Sequence, residues 1–260
     1  MTSLIDPSEL FQDDPFRDFY NLDGFTSFAL TTDVDWAPDF CVEDVLELVA
    51  SAGLRLTAFA THRTEALVQP PSFVEVGLHP DTTRPGAEGI RRKIPDLLEI
   101  YPEARGLRAH RNFFGQNVAQ LAKASGLDYD ASVLHWRQPF CQAEIDQYGL
   151  VRMAYNWEDG IQADRGLPWS LDWVPVAGPG LKIFNVHPIF IYLNCPDDDY
   201  RRRVVKDYPD LTRAPRSALA PCIHDGYGAR RFLIDLLAKL KASGARSVWL
   251  REIASAGRRS

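Results

Sequence analysis

The sequence predicts a single closed or nearly closed (β/α) barrel of about seven parallel strands. Three observations predict it. Short apolar runs alternate with amphipathic stretches along most of the chain, which is the pattern of parallel βα units. The chain has 260 residues, a length that α/β barrels reach as one domain. The turn after the first strand, Asp33-Val34-Asp35-Trp36-Ala37-Pro38, lacks the glycines that an open, doubly wound sheet needs there to cradle a nucleotide phosphate.

The elements follow in order. Residues 1–24 read as an acidic N-terminal extension broken by Pro7 and Pro15, and residues 25–260 as the barrel. Phe25–Thr32 is the first strand, ending at Asp33. Asp39–Ala52 is a helix: Val42, Val45, Leu46 and Val49 fall at helical spacing, Asp39 is the expected N-cap and Gly53 the residue that closes it. Leu54–Thr61 alternates like a strand, and Phe73–Leu78 is another, ending at His79. A helix over 88–101 is kinked near Pro95. Ala104–Ala109 is a short strand ending at His110. Gln116–Ser125 is helical and closed by Gly126. Strands follow at Leu127–Leu134, at Leu150–Asn156 before Trp157-Glu158-Asp159, and at Leu181–Val186 before His187. Helices are expected near Asp197–Asp207 and Gly228–Ala242, and Ser247–Ile253 reads equally as a last strand or a terminal helix.

Composition narrows the function. Apolar residues make up 45% and charged residues 25% of the chain, an average balance that excludes wholesale disorder. The net charge of −6 disfavours nucleic acid and anionic membrane surfaces as partners, because both need a basic face. Cys41, Cys141, Cys195 and Cys222 form no C-x-x-C pair, so neither a zinc ribbon nor a thioredoxin-type site is expected. No apolar run is long enough to span a membrane, and the N-terminus lacks the basic start and apolar stretch of a secretory signal. The expectation is a soluble cytoplasmic protein with reduced cysteines; composition sets no oligomeric state.

The chemistry collects at strand ends. Asp33, Asp35, His79, His110, Glu158, Asp159 and His187 all fall just past the C-terminal ends of expected strands, the face on which parallel barrels carry their sites. Asp33 and Asp35 lie two apart, hence on one side of an extended chain. Their repulsion calls for a cation or a shared proton, unless both are solvated at the next helix. His79, held before Pro80, suits zinc or a similar borderline cation as a neutral imidazole; its ordinary alternative is a loop histidine bonded to backbone. Arg108 can hold a catalytic carboxylate ionised or pair at the surface. His187, at the end of the most apolar strand, is a proton donor or a core histidine. Glu158 and Asp159 can orient a histidine, bind metal or bind sugar hydroxyls. Trp36, Trp136 and Trp157 can stack on sugar rings or fill the barrel mouth.

The segments TDVDWAPD, GLHP, RAHRNFF and NVHP, in this order, resemble the polysaccharide deacetylase superfamily (the NodB-homology, carbohydrate esterase family 4 group), and within it the WbmS-like branch. The resemblance covers roughly Phe25 to His187. It implies a distorted (β/α) barrel, a divalent metal held by one aspartate and two histidines, and hydrolysis of an acetyl group on a sugar. Carried over by position, the first-strand aspartates supply base and metal ligand, His79 the first metal histidine, Arg108 or Arg111 the third-motif arginine, and His187 the general acid. Asp130 and Trp136 fall near the fourth motif. Two departures matter: Val34 separates the usually adjacent aspartates, and Thr83 stands where the second metal histidine belongs, so His110 must arrive from the next strand.

The expected enzyme is therefore a metal-dependent deacetylase removing an acetyl group, N-linked, from a sugar, sugar nucleotide or glycan of surface polysaccharide metabolism. Zinc is the expected metal, held by Asp35, His79 and His110. Asp33, steadied by Arg108 or Arg111, is the base, and His187 the acid, although the two aspartates can exchange roles. Trp36, Trp136, Trp157, Glu158 and Asp159 are expected to bind substrate. The alternatives are a glycan-binding barrel without catalysis, or another metal-dependent amide hydrolase on the same fold.

Overall fold

The computed structural model describes residues 15–16, 27–83, 87–178 and 180–257. The expected N-terminal extension, Pro15 and Phe16 apart, lies outside the described residues, as does the start of the first strand before Ser27.

Seven parallel strands in chain order form the barrel wall: β1 (Ser27–Asp33), β2 (Leu56–Ala60), β3 (Val74–Leu78), β4 (Gly106–Leu107), β5 (Tyr129–Leu134), β7 (Val151–Tyr155) and β9 (Lys182–Val186). Neighbours pair in sequence from β1 to β5, and β5 then pairs with β7. Closure comes through a break at Asn156. Past that residue the chain resumes as β8 (Trp157–Glu158), which pairs with β9, and β9 pairs with β1 along Phe28–Thr32. The Asn156 N–H donates to the Ile183 carbonyl at 2.8 Å across this joint. Each of the seven expected strands is present.

Period-2 alternation gives each strand an inner and an outer column. Phe28, Leu30, Leu56, Ala58, Val74, Leu78, Leu107 and Phe184 face the helical layer. Ala29, Phe59, Tyr129, Ala131, Val151, Met153, Tyr155 and Ile183 form a second cluster inside, closed below by Val248, Leu250 and Ile253. Phe16 belongs to that lower cluster. Gly77 and Gly106 make room for the inner aromatics: a Cβ at Gly106 would clash with the Tyr129 ring, and one at Gly77 would reach the Phe59 ring at 2.7 Å.

The helices are α1 (Asp39–Ala52), α2 (Glu65–Val68), α3 (Ala87–Ile100), α4 (Gln116–Ala124), α5 (Asp159–Asp164), α6 (Pro188–Tyr192), α7 (Asp198–Val205), α8 (Arg216–Leu219), α9 (Ala229–Ala242) and α10 (Leu250–Gly257). Gly53 ends α1 at φ 69° as expected, but Asp39 is not its cap. Pro38 occupies that position, and the Asp39 carboxylate instead accepts from the Thr64 hydroxyl. The strand expected over 104–109 shrinks to Gly106–Leu107 because the chain turns into a 3-10 helix at His110. The ambiguous C-terminal segment holds both elements: β10 (Arg246–Ser247) pairs with the start of β1, and α10 follows. The short strand β6 (Ala143–Ile145), antiparallel to β7, is present beyond the expected elements. All four cysteines are free. Among the described residues, no helix is long and apolar enough to cross a membrane.

Candidate active site

The inner columns turn polar at the top of the barrel. Above Ala29 come Thr31 and Asp33; above Glu75 and Gly77 comes His79; above Gly106, Arg108; above Ile183, Asn185 and then His187. A cavity of about 520 Å³ opens over them, lined by Asp33, Asp35, Trp36, His79, His110, Arg111, Glu158 and His187 among others.

Arg108 is fully buried. Its guanidinium lies between the rings of Phe59 and Tyr155, 4.6 and 4.2 Å from their centroids. Nη1 donates to Asp33 Oδ1 at 2.9 Å, to Asn185 Oδ1 at 2.6 Å and to Thr31 Oγ1 at 2.9 Å. Asn185 Nδ2 donates to the other Asp33 oxygen at 2.9 Å. Burial pushes the Asp33 carboxyl up, but Arg108, with His79 and His187, overrides it and holds the group below its usual range. Arg108, rather than Arg111, therefore steadies Asp33. Arg111 is exposed at the pocket mouth with φ 56°.

The two aspartates face one pocket by a different route from the one expected. Asp35 is not extended. Val34–Ala37 is a turn with φ 46° at Asp35 and 57° at Trp36, closed by the Ala37 N–H on the Val34 carbonyl at 2.8 Å. Positive φ at both central residues is costly outside glycine and clusters where function over-determines the backbone. The turn sets Asp35 Oδ1 3.1 Å from His79 Nε2 and 3.1 Å from His110 Nδ1. The two ring nitrogens are 3.3 Å apart.

This set fits a cation. Asp35, His79 and His110 each offer one ligand atom, all within 4.8 Å of one another. His79 Nδ1 lies 2.7 Å from the Arg108 carbonyl, which fixes the proton there and leaves Nε2 as a lone-pair donor. Burial raises the Asp35 carboxyl, but the imidazoles of His110, His79 and His187 around it outweigh that and hold the group well below the usual range. Thr83 is turned away, its hydroxyl and N–H both on Asp81.

His187 stands opposite. Its Nε2 lies 4.0 Å from Asp33 Oδ2 and 3.8 Å from Asp35 Oδ2. Nδ1 meets Asp159 Oδ1 at 2.6 Å, and its backbone N–H donates to Asp159 Oδ2 at 2.8 Å. Burial disfavours the imidazolium, yet Asp159, aided by Asp35 and Asp33, raises the ring to about 10.

The expected substrate-binding residues separate. Trp36 lines the pocket, edge-on to His110 at 4.9 Å. Glu158 lines it too and accepts from Tyr155 Oη at 2.9 Å. Two expectations are corrected. Trp157 is fully buried, bonded to Gln162 and packed on Phe232, so it is a core residue. Asp159 is also fully buried, and it orients His187 instead of meeting substrate. Trp136 lines a neighbouring recess with His135, Gln138 and Phe140. Asp130 is buried on Arg152 at 2.6 Å, away from the pocket. Sequence reasoning missed Asn185, Tyr155 and Asn112, whose Nδ2 donates to Tyr155 Oη at 2.8 Å. For Asn185 the signal was its place two residues before His187.

Comparison with known proteins identifies the family and the fold. The WbmS-like polysaccharide deacetylase family matches residues 30–204. A crystal structure from Bordetella bronchiseptica, assigned as a polysaccharide deacetylase involved in O-antigen biosynthesis, superposes with a TM-score of 0.70 at 27% identity, covering 82% of this chain and 90% of that one. A 4-alpha-glucanotransferase from Thermococcus litoralis shares the fold alone, with a TM-score of 0.50 at 8% identity, over 89% of this chain and 40% of that chain. No curated protein matches the sequence.

Proposed function

Since the chain belongs to the WbmS-like polysaccharide deacetylase family, we propose that it is a metal-dependent hydrolase that removes an acetyl group, N-linked, from a sugar of a surface polysaccharide or its precursor. One observation carries this reading. An ionised carboxylate, Asp33, and a charged imidazole, His187, stand 4.0 Å apart beside a three-donor cluster in a single pocket.

Each residue has a role it can perform as placed. Asp35, His79 and His110 would hold a divalent metal, zinc being the best match to one carboxylate and two imidazoles. Such an ion supplies Lewis-acid polarisation of the acetyl carbonyl and a lowered pKa for its water. Asp33 accepts the proton of the attacking water at Oδ2, while Arg108 and Asn185 fix the carboxylate's orientation. His187 delivers a proton from Nε2 to the departing amine, and Asp159 keeps the ring charged and aimed. Trp36, Glu158 and Arg111 form the wall against which the sugar lies, with Trp136 in the adjoining recess.

A barrel that only binds glycan needs neither the Arg108–Asp33 pair nor the Asp159–His187 pair, so these buried pairs favour catalysis. The test is acetate release from N-acetylated sugars by wild type, Asp33→Asn and His187→Ala, with folding followed by circular dichroism. Loss of release in both folded variants supports the reading. Undiminished release in both refutes it.

A further inference from the structure

A second recess opens on the same face of the barrel. It holds about 430 Å³ and is lined by Arg63, Arg213, Arg216, His62, Asp39 and Phe40, together with neighbouring backbone. It shares a wall with the active pocket. Leu211 lines the active pocket, while Thr212 and Arg213, the next two residues of the same 3-10 turn, line the recess. Trp36 lines the active pocket and Pro38, two residues on, the recess. The Trp36 N–H is tied to Thr61 Oγ1 at 3.0 Å, which places the His62–Arg63 wall beside that turn.

The recess is basic in a chain whose net charge is −6. Three arginines and one carboxylate line the recess; the carboxylate, Asp39, already accepts the Thr64 hydroxyl, and Arg216 bonds to Tyr192 with Glu43 and Asp44 nearby. Arg63 pairs with Glu65 at 2.8 Å and Arg213 with Asp210 at 3.1 Å. The side chains of these pairs are 57% and 68%, and 86% and 52%, exposed. Ion pairs so exposed contribute little and yield readily to a multivalent anion. The 14-residue helix α1 begins in the recess without a side-chain cap, adding the positive end of its dipole.

We propose that this recess is an anion subsite for the deacetylase substrate, taking the diphosphate group next to the acetylated sugar. The substrate class is then a diphosphate-linked sugar, carried on a nucleoside or on a lipid. This rests on the deacetylase reading for the neighbouring pocket, and deepens it.

The experiment is calorimetric titration of the metal-loaded protein with inorganic pyrophosphate. Wild type is compared with the Arg63→Gln/Arg213→Gln double variant and with Lys239→Gln/Lys241→Gln. The second pair makes the same charge change at the C-terminal end of α9, on the opposite end of the barrel. Pyrophosphate is expected to bind wild type and the lysine variant alike, and the arginine variant roughly tenfold or more weakly. Uridine diphosphate and geranyl diphosphate then separate nucleoside from lipid as the carrier, by which of them binds more tightly. No binding to wild type, equal binding by the arginine variant, or an equal loss in the lysine variant overturns the subsite. Binding is read without turnover, so the two readings fail separately. Acetate release without pyrophosphate binding removes the subsite alone. Arginine-dependent binding without acetate release from the N-acetylated sugars removes the catalytic reading and leaves the recess as an anion site without a deacetylase substrate.

Discussion

Both oxygens of Asp159 are spent on one residue: Oδ1 meets His187 Nδ1 at 2.6 Å, and Oδ2 accepts the His187 backbone N–H at 2.8 Å. The ring is thereby fixed in position and in charge, and its pH behaviour follows. Burial lowers its pKa, and Asp159 with Asp35 and Asp33 more than offsets this, to about 10. A raised folded value means that the stabilisation is fully present below the ordinary value of 6.5 and is lost as pH rises through about 10. Denaturant unfolding of wild type and His187→Gln should therefore differ most near pH 6, and the difference should close toward pH 10. In Asp159→Asn the basic limb of kcat/KM should move toward neutral pH, because burial then dominates. An unmoved limb in that variant assigns the proton donor elsewhere.

Metal removal should be visible in stability as well as in rate. A ligand held at a hundred times its Kd stabilises by about 2.7 kcal/mol, so stripping with a chelator should lower Tm by roughly 5–10 °C in a chain of this size. Elemental analysis of His79→Ala and His110→Ala, purified without added metal, should show the ion lost from both. Thr83→Ala should keep it, because the Thr83 hydroxyl and N–H are both engaged by Asp81 and Thr83 is not among the three donors. Full metal content in both histidine variants refutes the proposed ligand set.

Arg108→Met should cost about 3–5 kcal/mol, since it leaves the buried Asp33 carboxylate without its partner. Arg108→Lys should rescue little, because an ammonium cannot reproduce the fork that reaches Asp33, Asn185 and the Ala131 carbonyl together. Wild-type Asp33 has a depressed value, so its contribution persists above 3.8 and fades only below that. Without Arg108, burial raises Asp33 and the variant gains stability as that carboxyl protonates. Urea unfolding at pH 7 and pH 4.5 should show the gap to wild type narrowing at the lower pH.

The two tryptophans flanking the site should respond differently. Trp157→Ala should destabilise by about 3–5 kcal/mol, the cost of emptying a buried aromatic site. Trp36→Ala should leave stability close to wild type and raise KM for the sugar several-fold, on the order of tenfold at most. The check is urea unfolding alongside steady-state kinetics of both variants, and a KM effect confined to Trp157→Ala contradicts it.

The sequence made the strand ends legible because each apolar run stops where an inner column turns polar. That is why Asp33, His79, His110 and His187 could be placed on one face. Direction was harder to read. After the break at Asn156, Trp157 points out to Phe232 while Glu158 points into the pocket, and adjacent residues give no hint of which is which. Asp39 has the chemistry of a cap, but Thr64, 25 residues away, claims its carboxylate. Asn185 looked like one more polar residue in an apolar strand. Its importance depends on Arg108 lying opposite, 77 positions earlier, a pairing that only closure of the barrel creates.

The three candidate metal donors come from separate crossovers, after β1, β3 and β4. A histidine pair within one loop could grip an ion while the chain is still unfolded. Here two stretches of roughly thirty to forty residues separate the donors, and bringing such distant points together in an open chain costs more loop-closure entropy than closing one short loop. In the folded chain the pairing of β1 to β4 in the barrel wall supplies that proximity. The proposed site should therefore bind a metal far more tightly in the folded chain than in the unfolded one.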